Sequence, residues 1–297
     1  MSVFVSAVGF GIASGAVIAL ASLGFTLQFG LTNTLNIGYG SFITLAAFIG
    51  YGFVQLGVNP WVTMLIVALI MAVGSAAYYS GFIRSLVRRS VGFGSLVIAT
   101  AAALIFIEYT IVLVAGPTTK SYGLTSGTTY HLWDIVWSSQ QLAIILLAAA
   151  LVGAFQMTLR MTRLGRALRA TAVNRTLARA CGIRVERVSI AAWMISGLLS
   201  GVAGVALAMS TQAFTYTLGL TFLIVLIAAA VVGGIGEPLG AVAGGLIIGL
   251  VTQISAAYWN PAYSDVAAFA LLIAALLLRP TGLFGGQARR SNVAAVA

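Results

Sequence analysis

The chain of 297 residues is 61% hydrophobic and only 7% charged, carries 34 glycines, and has 15 Lys and Arg against 5 Asp and Glu, a net charge of +10. No soluble core needs that much apolar side chain, so the composition describes a polytopic membrane protein, and the positive charge, confined to loops and termini, reports orientation rather than nucleic-acid binding. One cysteine, Cys181, and one histidine, His131, exclude a disulfide framework and a metal cluster.

The first apolar run, from Val3 to Phe29, is long enough to span a bilayer with some tilt. Its Gly11 and Gly15 stand at the spacing of small residues that lets helices approach closely. No Lys or Arg occurs before Arg84, so a positively charged signal-peptide start is absent and the run is expected to remain as a membrane segment. It leads into GLTNTLNIGYGSF, Gly30 to Phe42, where Thr32, Asn33, Thr34, Asn36 and Ser41 mix with three glycines inside an otherwise apolar region. Amides and irregular backbone at membrane depth are tolerated where they are buried in protein or line a wet cavity. Two readings stand. Asn33, Asn36, Gly38, Tyr39 and Ser41 border a permeation pathway, or the stretch is a short polar surface turn between two hairpin helices.

A second segment continues to about Leu56, the residues Gly57 to Pro60 turn, and a third segment spans Trp61 to Phe82. Arg84, Arg88 and Arg89 then mark a cytoplasmic loop by the positive-inside rule. Segment four, Gly94 to Ala115, holds Glu108, the one acid well inside an apolar run and a functional candidate for that reason. Its place towards the outer end, near Tyr109 and Lys120, equally suits an interfacial ion pair or snorkelling. Residues 116–140, with Lys120, His131, Asp134 and several aromatics, read as an outer loop, and segment five follows from Gln141 to Leu159.

The stretch 160–188 organises the rest. It holds Arg160, Arg163, Arg166, Arg169, Arg175, Arg179, Arg184 and Arg187 against a single acid, Glu186. An Arg at the bilayer centre costs about 2.5–3.5 kcal/mol, so this segment cannot span and is a cytoplasmic loop. At helical spacing Arg163, Arg166 and Arg169 fall on one arc and Leu164, Ala167, Leu168 and Thr171 on the opposite one, the pattern of an amphipathic helix. Asn174 can cap a second short helix and Gly182 can end it. The basic face either anchors the loop at anionic lipid or docks a cytoplasmic protein.

Segment six, Ser189 to Met209, carries Gly197 and Gly201; segment seven runs from Leu218 to Val232. The stretch Gly233 to Gly240 is read as a short cytoplasmic turn at Glu237 and Pro238 rather than a broken helix. Segment eight ends near Tyr258 and contains the pairs Gly240/Gly244 and Gly245/Gly249, and segment nine runs from Asp265 to Leu278 before Arg279 and a tail with Arg289 and Arg290. With 160–188 inside, every arginine cluster lands on one face, the N-terminus outside and the C-terminus in the cytoplasm. The expected fold is all-α, a single transmembrane domain over 1–297 with eight or nine membrane helices, some interrupted by glycine. Glycine-rich breaks near Gly38 and Gly236, one in each half, have the placement expected of an internal repeat, although Ser14 to Leu20 aligns with Ser200 to Leu207 only through a gap.

No nucleotide-binding loop is present, because the sole lysine lies in GPTTKS with Thr119 before Lys120. Ion-coupled carriage would need more buried ionisable groups than Glu108, and no nucleophile stands with a base in the membrane. No catalytic residue and no metal ligand set is therefore expected.

Taken together, TRLGRALRATAVNRTLARACGIRVERV from Thr162, AAVVGGIGEPLGAVAGGLIIGL and the late RPTGLFG resemble the permease subunits of the branched-chain amino-acid type of ABC importer. The early LTNTLNIGYGSF is more similar to the first of the two permease types in such systems. The resemblance implies a non-catalytic transmembrane subunit of a bacterial inner membrane that pairs with a second related permease. It further implies docking of two cytoplasmic ATPase subunits, which hold ATP and Mg, and delivery of solute by a periplasmic or extracellular binding protein. In this reading Arg163, Leu164, Gly165, Arg166, Leu168, Arg169, Ala170 and Gly182 form the ATPase-coupling element. Thr221-Phe222 and Thr252-Gln253 depart from the family's usual Lys and acid. Branched-chain or other hydrophobic amino acids are the favoured substrates; urea, amides or another small organic solute on the same architecture, and a facilitative channel without an ATPase, are the alternatives.

Overall fold

The computed structural model describes residues 2–89, 91–124, 129–132, 135–211, 213–279 and 281–285. Asp134, Arg289 and Arg290, together with the side chain of His131, lie outside the described residues. The chain is overwhelmingly helical. Its elements in order are α1 (Ser2–Thr32), α2 (Tyr39–Gln55), α3 (Pro60–Tyr78), a π-helical turn (Tyr79–Ile83), α4 (Arg84–Arg88), α5 (Phe93–Ala115), a hairpin of β1 (Thr129–Leu132) and β2 (Ile135–Ser138), α6 (Ser139–Met161), α7 (Arg163–Val173), α8 (Arg175–Ala180), α9 (Val185–Thr211), α10 (Leu218–Gly233), α11 (Pro238–Tyr258) and α12 (Ser264–Leu278).

Among the described residues six helices are long and apolar enough to cross a bilayer: Val3–Thr32, Pro60–Arg88, Phe93–Ala115, Ser139–Met161, Val185–Thr211 and Pro238–Tyr258. The chain is thus a multi-pass membrane protein in its composition and helix lengths. Helices α10 and α12 are apolar but shorter, and α2 has 17 residues.

Three expectations change at their edges. The irregular stretch is narrower than Gly30 to Phe42, since α1 runs through Thr32 and α2 starts at Tyr39, leaving only Asn33–Gly38 outside helix. The third segment does not stop at Phe82: the π-turn carries it into α4, so Arg84 and Arg88 extend a helix rather than open a loop. Within residues 116–140, expected as loop, Thr129 pairs antiparallel with Ser138 through Leu132 with Ile135, a two-stranded hairpin in an otherwise helical chain.

The chain divides into two compact units, Met1–Thr26, Thr125–Gln156 and Ile224–Ala297 forming the first and Leu27–Leu124 with Met157–Leu223 the second. In the first, the two glycine pairs singled out by spacing meet each other. Alanine methyls on Gly11 and Gly15 would press on the backbone of Leu250 and Leu246 at 3.0 and 3.1 Å, and methyls on Gly245 and Gly249 on Ala19 and Gly15. Lipid offers no hydrophobic drive between helices, so such van der Waals contact, with the Ser22 hydroxyl donating to the Ala241 carbonyl at 2.9 Å, is what joins α1 to α11. The turn from α10 to α11 is short, with Gly234 and Gly236 at positive φ. Leu283 and Phe284 then return to the end of α10, their N–H groups donating to the Val232 and Gly233 carbonyls at 2.9 and 3.1 Å.

In the second unit α9 is gripped by α3 and α2. Gly197 faces the Met71 carbonyl, Gly201 lies 2.8 Å (as a methyl) from the Ala68 Cα, and Gly204 faces the Ile43 carbonyl. A strap, residues 117–124, pairs Lys120 with Phe214 in both directions at 2.9 Å, and the Tyr122 hydroxyl donates to the Ala47 carbonyl at 2.8 Å. Gly50 leaves the room for that tyrosine, whose phenol burial pushes above the ordinary tyrosine range.

Candidate functional site

The elbow between α1 and α2 forms because the helix is interrupted chemically. The Thr32 hydroxyl bonds back to the Gln28 carbonyl at 2.6 Å and pairs with Thr34 at 2.7 Å, while Asn33 takes a left-handed φ of 51°, a conformation asparagine tolerates at a helix end. Asn36 is fully buried and donates through Nδ2 to Gln28 Oε1 at 3.0 Å. The Ile37 N–H donates to Thr100 Oγ1 on α5 at 3.2 Å, and the Ser41 hydroxyl donates to the Gly38 carbonyl at 2.7 Å. Thr34, Asn36, Gly38, Tyr39 and Ser41 are all buried and Asn33 alone is exposed. A polar turn at the surface is therefore not what this stretch makes; it is an amide and hydroxyl cluster enclosed by protein, the setting membrane-depth polar groups require.

The start of α2 crosses the start of α10 at two glycines. Methyls on Gly40 and Gly219 would each collide with the other's backbone, and the Gly219 N–H donates to Thr44 Oγ1 at 2.9 Å. Tyr39 is enclosed beside this crossing, close to Ser196 of α9. Glu108, 5% exposed in α5, is not snorkelled, and among the described residues it forms no ion pair. Lys120 places its ammonium over the Tyr51 ring at 5.7 Å instead.

The basic stretch forms a compact two-helix element. Thr162 caps α7 by accepting from the Gly165 N–H at 3.0 Å, and Asn174 caps α8 by accepting from Leu177 N–H at 3.0 Å, as its position suggests. Gly182, at φ 81°, ends α8 with Gly182 N–H donating to the Arg179 carbonyl at 3.1 Å and Ile183 N–H to Ala178 at 3.0 Å, a Schellman termination. Gly165, Leu168 and Thr171 form the buried stripe of α7, Leu164, Ala167 and Ala170 are half-buried, and Arg163, Arg166 and Arg169 face out. A methyl on Gly165 would run into the Thr158 and Leu159 carbonyls, so glycine is what lets α7 fold back against the end of α6; the Arg169 guanidinium donates to the same Leu159 carbonyl. Arg175 reaches Ser189 Oγ at the start of α9 at 3.3 Å, and Glu186 pairs with Arg84 and, at 3.8 Å, with Arg88. Val173 and Leu177 stand 70% and 61% exposed, an apolar spot beside the arginines.

The sequence profile described as branched-chain amino acid transport system / permease component matches residues 7–276, across both the elbow and the two-helix element. The chain belongs to this permease family. Its similarity to LivH of Salmonella typhimurium, a high-affinity branched-chain amino acid transport system permease protein, is 28% identity over 290 residues, 93% of each chain. The probable LivH permease of Methanocaldococcus jannaschii is 29% identical over 289 residues, 90% of this chain and 88% of that one. The ribose import permease protein RbsC of Escherichia coli is 26% identical over 251 residues, 79% and 73% of the two chains. In fold the permease is similar to a chain of PsaBC from Streptococcus pneumoniae solved in complex with Fab, with a TM-score of 0.52 at 14% identity over 94% of this chain and 92% of that one.

Two residues of the permease's elbow escaped sequence reading. Gln28 lies one residue inside the end of the first apolar run and looks like a helix-end polar residue, yet it is 1% exposed and holds Asn36. Tyr78, far away in α3, brings its hydroxyl to the elbow; only its place immediately before the π-turn, a distortion common at functional sites, would have marked it.

Proposed function

We propose that this permease is the non-hydrolytic transmembrane subunit of an ABC importer of a bacterial inner membrane, passing branched-chain or other hydrophobic amino acids inward while separate subunits bind ATP and Mg and hydrolyse the nucleotide. Its partners are a second related permease, two cytoplasmic ATPase subunits and a periplasmic or extracellular solute-binding protein. The chain acts as one permease domain of eight or nine crossings, the shorter α2, α10 and α12 adding to the six long helices, with the N-terminus outside and the arginine clusters and C-terminus in the cytoplasm.

The observation that carries this reading is the α7–α8 element. It is rigidly capped at both helices and locked to the end of α6 through Gly165, while Arg175 ties it to α9; it presents Arg163, Arg166, Val173 and Leu177 outward. A push on such an element by closing ATPase subunits passes to two membrane helices at once, which is how an external bias drives alternating access. Arg163, Leu164, Arg166, Arg169 and Ala170 lie on or beside the docking face, and Gly165, Leu168 and Gly182 shape it. The elbow residues Asn33, Asn36, Gly38, Tyr39 and Ser41 border the route, with Glu108 as a further candidate.

A second reading, an uncharged solute such as urea, an amide or a sugar, is favoured by the amides and hydroxyls that make up the elbow and by the similarity to a ribose import permease. Leucine and urea uptake by the assembled transporter in proteoliposomes separates the two. The ATPase contact is tested with Arg166→Glu and Leu177→Asp together, since both side chains are exposed and neither supports the fold. The double variant should insert normally yet lose ATPase co-purification and uptake. Full retention of both would remove α7–α8 as the docking element, whereas uptake by a wild type that never co-purifies with an ATPase would favour a channel.

A further inference from the structure

The start of α9 is held from two sides. Arg175 of α8 donates to Ser189 Oγ at 3.3 Å, and one turn earlier Glu186 pairs with Arg84 and, at 3.8 Å, with Arg88, which come from the far end of the third membrane segment. Glu186 is the one acid of residues 160–188, among eight arginines, yet both arginines it pairs with lie outside that stretch.

The π-turn is what brings them there. The segment faces α9 along Met71, Ser75 and Tyr79, spaced four apart: a methyl on Gly197 would meet the Met71 carbonyl and the Ser75 Cβ, and the Tyr79 ring stacks on Trp193 at 5.1 Å. Continued at α-helical spacing, that line would run on to the apolar Ile83 and Val87. The π-turn Tyr79–Ile83 takes up one more residue, so the line passes from Tyr79 to Arg84 and then to Arg88, while Val87 is left 45% exposed. Trp193 and Glu186 lie two turns apart on α9, so the aromatic stack and the ion pair share one face of that helix. Tyr78, immediately before the π-turn, sets its hydroxyl against Gly38 in the elbow.

We propose that Glu186 is a positioning residue for coupling. With Arg84 and Arg88 it clamps the start of α9 to the end of the third segment, so that a movement of α7–α8 reaches α3 and the elbow as well as α6 and α9. The inference rests on the reading of α7–α8 as the ATPase contact. The clamp is not what keeps α3 and α9 together: Glu186 and Arg84 are 50% and 27% exposed, where solvent screens an ion pair, and the close contacts at Gly197 and Gly201 join the two helices without it. Its loss therefore frees the two cytoplasmic ends from each other and leaves the packed helices in place.

The test uses the complete transporter, permease pair, ATPases and binding protein, in proteoliposomes, with uptake of radiolabelled leucine, or of urea where that is what wild type imports, measured together with ATP hydrolysis. Glu186→Gln and Arg84→Gln should each keep the ATPase bound and hydrolysing, and lower the solute moved per ATP by about threefold or more, the size of a coupling contribution made by one contact. The exchange Glu186→Arg with Arg84→Glu should restore most of that ratio. Because it places a cation at the N-terminus of α9, recovery reports the pairing and not the favourable placing of an acid at a helix start. Arg89→Gln, which removes an exposed cation that forms no ion pair among the described residues, should match wild type. A wild-type ratio in both single variants, with or without a lowered thermal midpoint, or an exchange no better than the singles, overturns the clamp. Loss of the ATPase from Glu186→Gln also overturns it, by making Glu186 part of the docking face. A wild type that does not retain the ATPase removes the α7–α8 reading itself.

Discussion

Gly40 and Gly219 lie backbone against backbone where α2 begins and α10 begins, so tightly that a methyl on either would strike the other's carbonyl. Overpacking in a fitted core costs about 1–3 kcal/mol, and here the obstacle is backbone, which cannot rotate aside. Gly219→Ala should therefore lower the thermal midpoint of the purified permease by several degrees. Gly74→Ala, where a methyl meets nothing within 4 Å in the middle of α3, should leave it unchanged or raise it. Equal effects from the two would mean that this crossing is not a close one.

Accessibility separates the two asparagines. In a Cys181→Ser background, cysteine at the exposed position Asn33 should react readily with small aqueous thiol reagents, and cysteine at the buried Asn36 slowly. Trapping ATP on the assembled transporter should change the rate at Asn36. Inaccessibility there in every state would make the elbow a packed joint rather than a bank of the route.

Glu108 is buried without an ion pair among the described residues, and carboxamide matches its size. Glu108→Gln should assemble normally and lower leucine uptake only modestly, with an unchanged substrate range. Abolished uptake with intact ATPase binding would make this carboxyl a part of the route.

Burial pushes the Glu237 carboxyl, at the N-terminal boundary of α11, above the usual carboxylate range. The native state then binds this proton more tightly than the unfolded chain, so stability from this group is fully present at acid pH and falls as pH rises from the ordinary carboxylate value through the raised one. Thermal midpoints of wild type in detergent should show that decline, and Glu237→Gln should flatten it. Parallel profiles for the two proteins would remove the assignment.

The features legible in the sequence are those set by local rules. The caps at Asn174 and Gly182, the arginine face of α7, the limits of α6 and α12 and the use of Gly11, Gly15, Gly245 and Gly249 for close helix approach all follow from spacing and residue type, though not which pair meets which. What spacing could not reveal depends on distant neighbours. Leu168 looks like a docking residue on a helical wheel, but its side is turned to the protein because Gly165 lets α7 fold back on α6. Gln28 and Tyr78 acquire meaning only once α3 brings a hydroxyl to the elbow, and hydropathy could not separate Arg84 in a helix from Arg84 in a loop, since the π-turn carries the helix past its last apolar turn.

The return of Leu283 and Phe284 to the end of α10 makes one helix depend on residues synthesised a whole helical hairpin later. Until that strand arrives, the Val232 and Gly233 carbonyls lack the amides that eventually cover them, however well α10 and α11 have already paired. A chain cut within α12 would keep α10 and α11 but leave the Val232 and Gly233 carbonyls without these two donors.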